Sequence, residues 1–149
     1  MTPKTQLLLF LAANPKPANP IRIMKGLFLF AQAVNEGKLQ HTETFQFKPM
    51  NYGPCSLDVY QELNTLVQEG LVRPEPVPGE TWNRYCVTGN GLIYLEKNQN
   101  LEEKSLADYL GEIRSWCDAQ SFTTLLQSVY RAYPGFAINS VLPHLRPNQ

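Results

Sequence analysis

Apolar residues recur every three or four positions along much of this chain, a spacing typical of helices that pack by one face. Two early helices are predicted where a capping residue precedes proline, at Thr2-Pro3 and at Asn19-Pro20. The first is apolar nearly all round and should be buried. The second extends from Ile21 to about Asn35, and Gly37 ends it.

Residues 38–50 have no helical period. Phe45 and Phe47 alternate with polar residues, which predicts a short strand or extended arm. We expect the aromatic side of this arm to lie across the core.

The stretch from Asn51 to Gly91 predicts a turn, a helix, a β-hairpin and the start of a further helix. The hydroxyl of Ser56 is expected to cap the helix, and Gly70 to end it as a left-handed residue. The apolar face of this helix is predicted to contain Leu57, Tyr60, Leu63, Leu66 and Val67.

Two strands should follow that helix, joined by a turn at Pro78-Gly79. The first begins at Leu71 and continues as a proline-containing edge, and the second ends at Val87. Thr88 is expected to cap the next helix. Helix, strand, exposed turn, strand and helix is the order of a winged-helix unit.

Beyond Asn100 the chain is predicted to be helical again, with a stripe at Leu106, Leu110, Ile113 and Cys117 and a later helix capped by Ser121. The prediction is therefore an α+β, mostly helical fold: a winged-helix-like domain with a small β-hairpin wing and additional C-terminal helices. A chain of 149 residues suits one domain, with a winged core at about 21–97 and a helical extension at about 101–145.

Charge is unevenly distributed, although the formal net charge is zero. Residues 1–50 contain six basic and two acidic residues, whereas residues 51–118 contain five basic and eleven acidic residues. The whole chain therefore lacks the strongly basic character of many nucleic-acid-binding proteins.

The sequence predicts a cytoplasmic protein without a cofactor or metal, and not an enzyme. Its three cysteines have no close pair and should be reduced, buried residues. The N-terminal apolar run is too short to span a bilayer and lacks a signal-peptidase site. His41 and His144 have no partners at zinc-ligand spacing, and Gly89-Asn90-Gly91 is not a phosphate loop.

DNA binding is the usual expectation for a winged helix, but the predicted recognition helix is acidic, with Asp58, Glu62 and Glu69 and no basic residue. A DNA-binding regulator is therefore the alternative hypothesis. In that case, phosphate contacts are expected from residues elsewhere, namely Lys25, Lys38, Lys48 and Arg73.

Protein binding fits this charge distribution better, since acidic and aromatic residues are both suited to an interface. The predicted contact residues are Tyr52, Gln61, Glu62, Trp82 and Arg84. A homodimer through the C-terminal helices is a further hypothesis, with Tyr109, Trp116 and Tyr130 as candidates. The alternative is that these residues complete the core of the monomer. For Tyr52 and Trp82 individually, packing on the core is the favoured interpretation.

Several short motifs together resemble a known group. They are Phe45-Gln46-Phe47 leading into Tyr52-Gly53-Pro54, then Gly70-Leu71-Val72, then Arg84-Tyr85-Cys86-Val87-Thr88. They resemble small bacterial and archaeal winged-helix-like proteins with a Tyr-Gly-Pro turn. They are more distantly similar to Panacea-type antitoxin domains, and residues Met24–Gln32 of this chain match the leading helix of those domains. The resemblance implies binding work, in some members the neutralisation of a toxin, and implies no catalytic residue.

Overall fold

The computed structural model describes residues 1–145, which form the predicted α+β and mostly helical fold. The elements follow in this order: α1 (Pro3–Ala12), α2 (Pro20–Asn35), β1 (Lys48–Met50), β2 (Gly53–Cys55), α3 (Leu57–Gln68), β3 (Val72–Pro76), β4 (Asn83–Val87), α4 (Gly89–Lys97), α5 (Lys104–Ala119) and α6 (Phe122–Ala132). Short 3₁₀ helices occur at Leu101–Glu103, Pro134–Ala137 and Pro143–Leu145. None of the helices within residues 1–145 is long and apolar enough to cross a bilayer.

Most helix ends follow the predicted local chemistry. At four helix starts, a side-chain oxygen of the capping residue accepts a hydrogen bond from a backbone N–H of the first turn. The capping residues are Thr2, Asn19, Thr88 and Ser121. At the end of α3, Gly70 adopts a φ of 75° and the N–H of Leu71 donates to the Leu66 carbonyl at 2.9 Å. That bond belongs to the glycine-terminated helix motif, so the predicted end of α3 is confirmed.

The start of α3 differs from the prediction. Ser56 occupies the N-cap position, but its hydroxyl makes no capping hydrogen bond. The Ser56 Oγ is buried and has no hydrogen-bond partner within residues 1–145. Only its carbonyl contributes, accepting the N–H of Val59 at 3.2 Å. The predicted side-chain cap is therefore wrong.

The inner face of α3 also differs from the prediction. Val59, Leu63 and Leu66 are each at most 1% exposed, and they form the face that packs on the core. Leu57 and Tyr60 were predicted on that face but are 64% and 41% exposed. The helix therefore has a narrower buried stripe and a second, solvent-facing apolar side.

The predicted wing is confirmed as an antiparallel hairpin of β3 and β4, in register from Val72 opposite Val87 to Pro76 opposite Asn83. Gly79 supplies the turn with a φ of 78°. The other side of β4 is bridged by Ala18, whose N–H and carbonyl bond to the backbone of Tyr85. This leaves β3 at the edge, where its prolines remove no ladder donor.

A second hairpin replaces most of the predicted arm. The strand begins only at Lys48 and pairs with β2, with Lys48 opposite Cys55 and Met50 opposite Gly53. Asn51 and Tyr52 form the two-residue turn between the strands. Phe45, further back, is 7% exposed and packs on the core as predicted.

The C-terminal helices belong to the main core. α5 packs against both α1 and α2, and its predicted stripe lies in the same apolar cluster as the buried residues of α1, α2 and α3. Tyr130 of α6 is fully buried beside Phe28 in a second cluster. Tyr130 is therefore a core residue, as one of its two predicted roles requires, and it is not exposed on a surface that a second copy could contact.

Arg114 of α5 ties the N-terminal part of the chain to this core. Its guanidinium is 1% exposed and donates to the carbonyls of Phe10 at 3.0 Å, Leu11 at 3.1 Å and Lys16 at 2.6 Å. It also donates to the Asp118 carboxylate at 2.7 Å. One side chain thus supplies hydrogen-bond donors to the carbonyls at the end of α1 and positions the loop that leads to α2.

Replacement of Arg114 by Met should lower the free energy of unfolding by about 3 kcal/mol or more, since three carbonyls and a carboxylate lose their donor. Arg131→Met is the matched control, because Arg131 is exposed on α6. It should change stability by about 0.5 kcal/mol or less. Urea denaturation midpoints measure both, and similar midpoints for the two variants would contradict the assigned role of Arg114.

Candidate functional site

Three hydrogen bonds from two other parts of the chain hold the β1–β2 hairpin. The Lys25 ammonium of α2 donates to the Pro54 carbonyl at 2.9 Å. From the C-terminal segment, the N–H of Val141 donates to the Asn51 carbonyl at 2.9 Å, and the Asn139 amide donates to the Pro49 carbonyl at 3.0 Å. The turn is therefore well anchored although it lies at the surface.

The residue directly after the two-residue turn is Gly53, and its conformation and surroundings both require glycine. Its φ is 87°, a conformation that other residues rarely adopt. A Cβ atom there would lie 2.5 Å from the ring of Tyr130. Tyr130 donates in turn to the Ser140 hydroxyl at 2.8 Å. The Tyr-Gly-Pro motif thus marks a close contact between the turn and α6.

Around this turn lies a group of exposed apolar side chains that we call the turn surface: Met50, Tyr52, Leu57, Tyr60 and Phe122. Each is at least 40% exposed. Tyr52 and Phe122 meet edge to face with ring centroids 6.2 Å apart. Clustered apolar groups of this kind, unlike scattered ones, often mark binding sites.

A cavity of about 200 Å³ opens within the turn surface, and we call it the turn pocket. Its walls come from α2, from the β1–β2 hairpin and from the first turn of α3. The residues that matter most below are Met24, Lys25, Met50, Cys55, Leu57 and Tyr60. The lining thus combines thioether, aliphatic and aromatic groups with a single lysine.

Lys25 is 2% exposed and lies in the wall of this narrow pocket, so the phosphates of a DNA duplex cannot reach it and the predicted phosphate contact is wrong. Burial lowers its pKa from 10.5 to about 8, because the charged ammonium loses most of its hydration. No carboxylate within residues 1–145 forms an ion pair with it. Its counter-charge is therefore missing from the described part of the chain.

Two further side chains of the turn pocket, Cys55 and Tyr60, are held in their neutral forms at physiological pH. Burial raises the pKa of the Cys55 thiol, and the nearby Lys25 ammonium offsets this only in part. Burial likewise raises the pKa of the Tyr60 hydroxyl. The pocket consequently presents one positive charge and no negative charge.

Gln61 and Glu62 lie elsewhere on α3. They line a polar groove of about 670 Å³ together with His41, Glu43 and Asp58. Burial raises the pKa of Glu62, and Lys4 opposes the shift. These two predicted contact residues therefore belong to a groove separate from the turn pocket.

Trp82 and Arg84 are on the wing. Trp82 is 39% exposed and its indole N–H donates to the Glu80 carboxylate at 3.1 Å. Arg84 is exposed and lies opposite Glu75 in the hairpin register. The five predicted contact residues thus occupy three places: Tyr52 at the turn, two residues in the polar groove and two on the wing.

The remaining basic residues predicted to contact phosphates are mostly engaged. The Lys38 ammonium lies 3.0 Å from the Glu36 carboxylate, and the Arg73 guanidinium lies 2.9 Å from that of Glu75. Lys48 is exposed on β1 and has no ion pair within residues 1–145. The four residues therefore do not form one open basic face.

Sequence reasoning missed Leu57 and Tyr60 as surface residues, although a signal was present. At 100° per residue, Leu57 lies about 160° around the helix from Val59, and Tyr60 about 100° from it. One buried face does not normally extend so far. The excess width of the apolar set therefore indicates two separate contact surfaces on α3.

Within residues 1–145, no three His, Cys, Asp or Glu side chains are grouped so that they could hold a metal ion. Cys117 is buried, and burial raises its pKa to about 12, so its thiol is protonated and a poor nucleophile.

No known protein-family model and no curated protein matches this chain.

The buried Lys25 should make stability depend on pH. Between its folded pKa of about 8 and its ordinary value of 10.5, the unfolded chain binds more protons than the folded one. The free energy of unfolding should therefore rise across this window, by up to about 3 kcal/mol. Below pH 8 both states are protonated and this contribution is constant.

The measurement is urea denaturation of wild type and Lys25→Met from pH 7 to pH 10.5. The difference between their unfolding free energies should change with pH only above about 8. Lys48→Met removes the same charge at an exposed position and should show no such trend. Parallel curves for wild type and Lys25→Met would contradict the lowered pKa.

Proposed function

We propose that this chain is a non-enzymatic regulatory module that acts by binding a protein partner through the turn surface. The observation that carries the proposal is the cluster of exposed apolar side chains around an anchored turn. Because the turn is tied to α2, α6 and the segment that follows α6, its side chains lose little conformational freedom on binding. Aromatic and methionine side chains are also enriched at protein interfaces.

The charge around α3 supports a partner with a basic rim. Asp58 and Glu62 line the polar groove on the neighbouring side of this helix. Glu69 follows at its end and is engaged by Lys4 at 2.9 Å. A partner that covers the turn surface with apolar residues and approaches this side with lysine or arginine would match both features.

The resemblance to Panacea-type antitoxin domains suggests a more specific version of the proposal. In that version the partner is a toxin, and binding neutralises it. Tyr52-Gly53-Pro54 carries the resemblance and also forms the turn at the centre of the turn surface. The free thiols of Cys55, Cys86 and Cys117 are compatible with action in the reducing cytoplasm.

A second copy of the chain is another candidate partner. Trp116 of α5 is 40% exposed and borders a groove of about 420 Å³ between α2, α5 and α6. Tyr109 lines the same groove. These are two of the three residues proposed for self-association, and light scattering on the purified protein distinguishes monomer from dimer.

DNA binding is the alternative function, supported by the wing and by the exposed Lys48 and Arg84. Against it stand the burial of Lys25 and the absence of lysine and arginine from α3. Phosphate neutralisation depends on accessible basic side chains, and α3, the predicted recognition helix, has none. The protein-binding proposal is therefore favoured.

Leu57→Ser should weaken the partner complex about tenfold or more while leaving folding intact, since Leu57 is exposed on the turn surface. Leu101→Ser is the matched control, because Leu101 is even more exposed but lies outside this surface. Affinity capture from the native host, followed by titration of the captured protein, measures the effect. Equal loss of binding in both variants would count against the turn surface.

The DNA alternative predicts tight binding to mixed-sequence duplex DNA that weakens steeply with salt. The protein-binding proposal predicts no saturable binding near physiological salt. Fluorescence anisotropy of a labelled duplex at low and near-physiological salt separates the two. A steep salt dependence that is reduced in Lys48→Ala or Arg84→Ala would favour a DNA-binding regulator.

A further inference from the structure

We propose that the turn pocket binds the C-terminal carboxylate of a partner chain whose last residue is apolar, with the Lys25 ammonium as counter-charge. This inference rests on the proposed function, because it names the part of the protein partner that enters the turn surface. It depends on the buried ammonium, the start of α3 and the neutral walls of the pocket.

The ammonium of Lys25 has unused donors. It carries three N–H groups, and within residues 1–145 only the Pro54 carbonyl accepts from it. The side chain is 2% exposed, so water replaces the missing partners poorly. Burial of a charge is costly unless a counter-charge and hydrogen bonds accompany it. A ligand carboxylate in the turn pocket would supply both.

The start of α3 forms another wall of the same pocket. Leu57, the first residue of the helix, lines the pocket, and the Ser56 hydroxyl makes no capping bond. That hydroxyl is 3% exposed and has no partner within residues 1–145. Ser56 is not part of the pocket lining, but Leu57 places the start of α3 there, and the positive end of the helix dipole favours an anion.

No wall of the pocket opposes an anion. Aspartate and glutamate are absent from its lining within residues 1–145, and the Cys55 thiol is neutral. Asp58, the acidic residue in the first turn of α3, lines the polar groove instead. Met24, Met50 and Leu57 supply apolar surface, so the fitting ligand combines one carboxylate with an apolar group.

The size of the pocket favours a chain end over an acidic side chain within a chain. At about 200 Å³ it is smaller than the roughly 300–1,000 Å³ of most small-molecule sites. An internal acidic residue would bring peptide groups on both sides against Met50 and Leu57, which cannot hydrogen-bond to them. A terminal residue brings peptide groups on one side only.

Three peptides test the proposal by NMR titration of the uniformly ¹⁵N-labelled full chain. They are acetyl-Ala-Ala-Leu with a free carboxylate, the same peptide as its C-terminal amide, and acetyl-Ala-Asp-Ala amide. The free acid should shift the amide signals of Gly53, Cys55 and Leu57 saturably. The two amidated peptides should bind about tenfold more weakly or not at all, since each lacks a charged terminal contact.

Lys25→Met should remove the preference for the free acid, whereas Lys48→Met, a neighbouring exposed lysine, should keep it. Circular dichroism melting verifies that both variants fold. If Lys25→Met does not fold, the affinities of the free-acid and amide peptides for Leu57→Ser are compared instead. Loss of the apolar wall should lower the affinity for the free acid in particular.

Equal binding of acid and amide, or a preference abolished by Lys48→Met and kept in Lys25→Met, would overturn the proposal. Tighter binding of the aspartate peptide would overturn the chain-end part and assign the pocket to an acidic side chain. If the free acid fails to bind while Leu57→Ser still disrupts the native complex, only this inference fails. If Leu57→Ser leaves that complex intact, the turn surface itself is the wrong interface.

Discussion

The guanidinium of Arg114 is the contact on which much of this architecture depends. It satisfies the carbonyls at the end of α1 and, through Lys16, positions the loop that follows. The same loop supplies Ala18, which bridges β4, and Asn19, which caps α2. A single buried side chain of α5 thereby relates the first two helices to the wing. Arginine suits this role because its planar donors reach several acceptors at once.

The β1–β2 turn receives similar support at the surface. Lys25 holds the Pro54 carbonyl, the ring of Tyr130 packs against Gly53, and the segment after α6 holds Asn51. Ordering of a surface turn costs conformational entropy, and here that cost is met by folding rather than by binding. The exposed apolar groups are consequently presented in a defined arrangement. This property is more informative about function than their exposure alone.

The two cations that are buried within residues 1–145 differ in how they are compensated. Arg114 has a carboxylate and three carbonyls, whereas Lys25 has one carbonyl and no carboxylate within residues 1–145. The first arrangement stabilises the fold. The second retains a charge that is only partly satisfied, beside a pocket with neutral walls. A buried charge that lacks a counter-charge tends to mark a functional position, because folding by itself does not favour such an arrangement.

The sequence by itself determined the α+β class, the wing and most helix ends. Caps such as Thr88 and glycines such as Gly70 act through residues a few positions away, so their chemistry is local and readable. Only the tertiary structure decided that Lys25 is buried and that Leu57 faces solvent. The side on which a helix packs depends on elements distant in sequence. The turn surface and its pocket exist because α2, α3 and α6 meet at one turn, which no local pattern encodes.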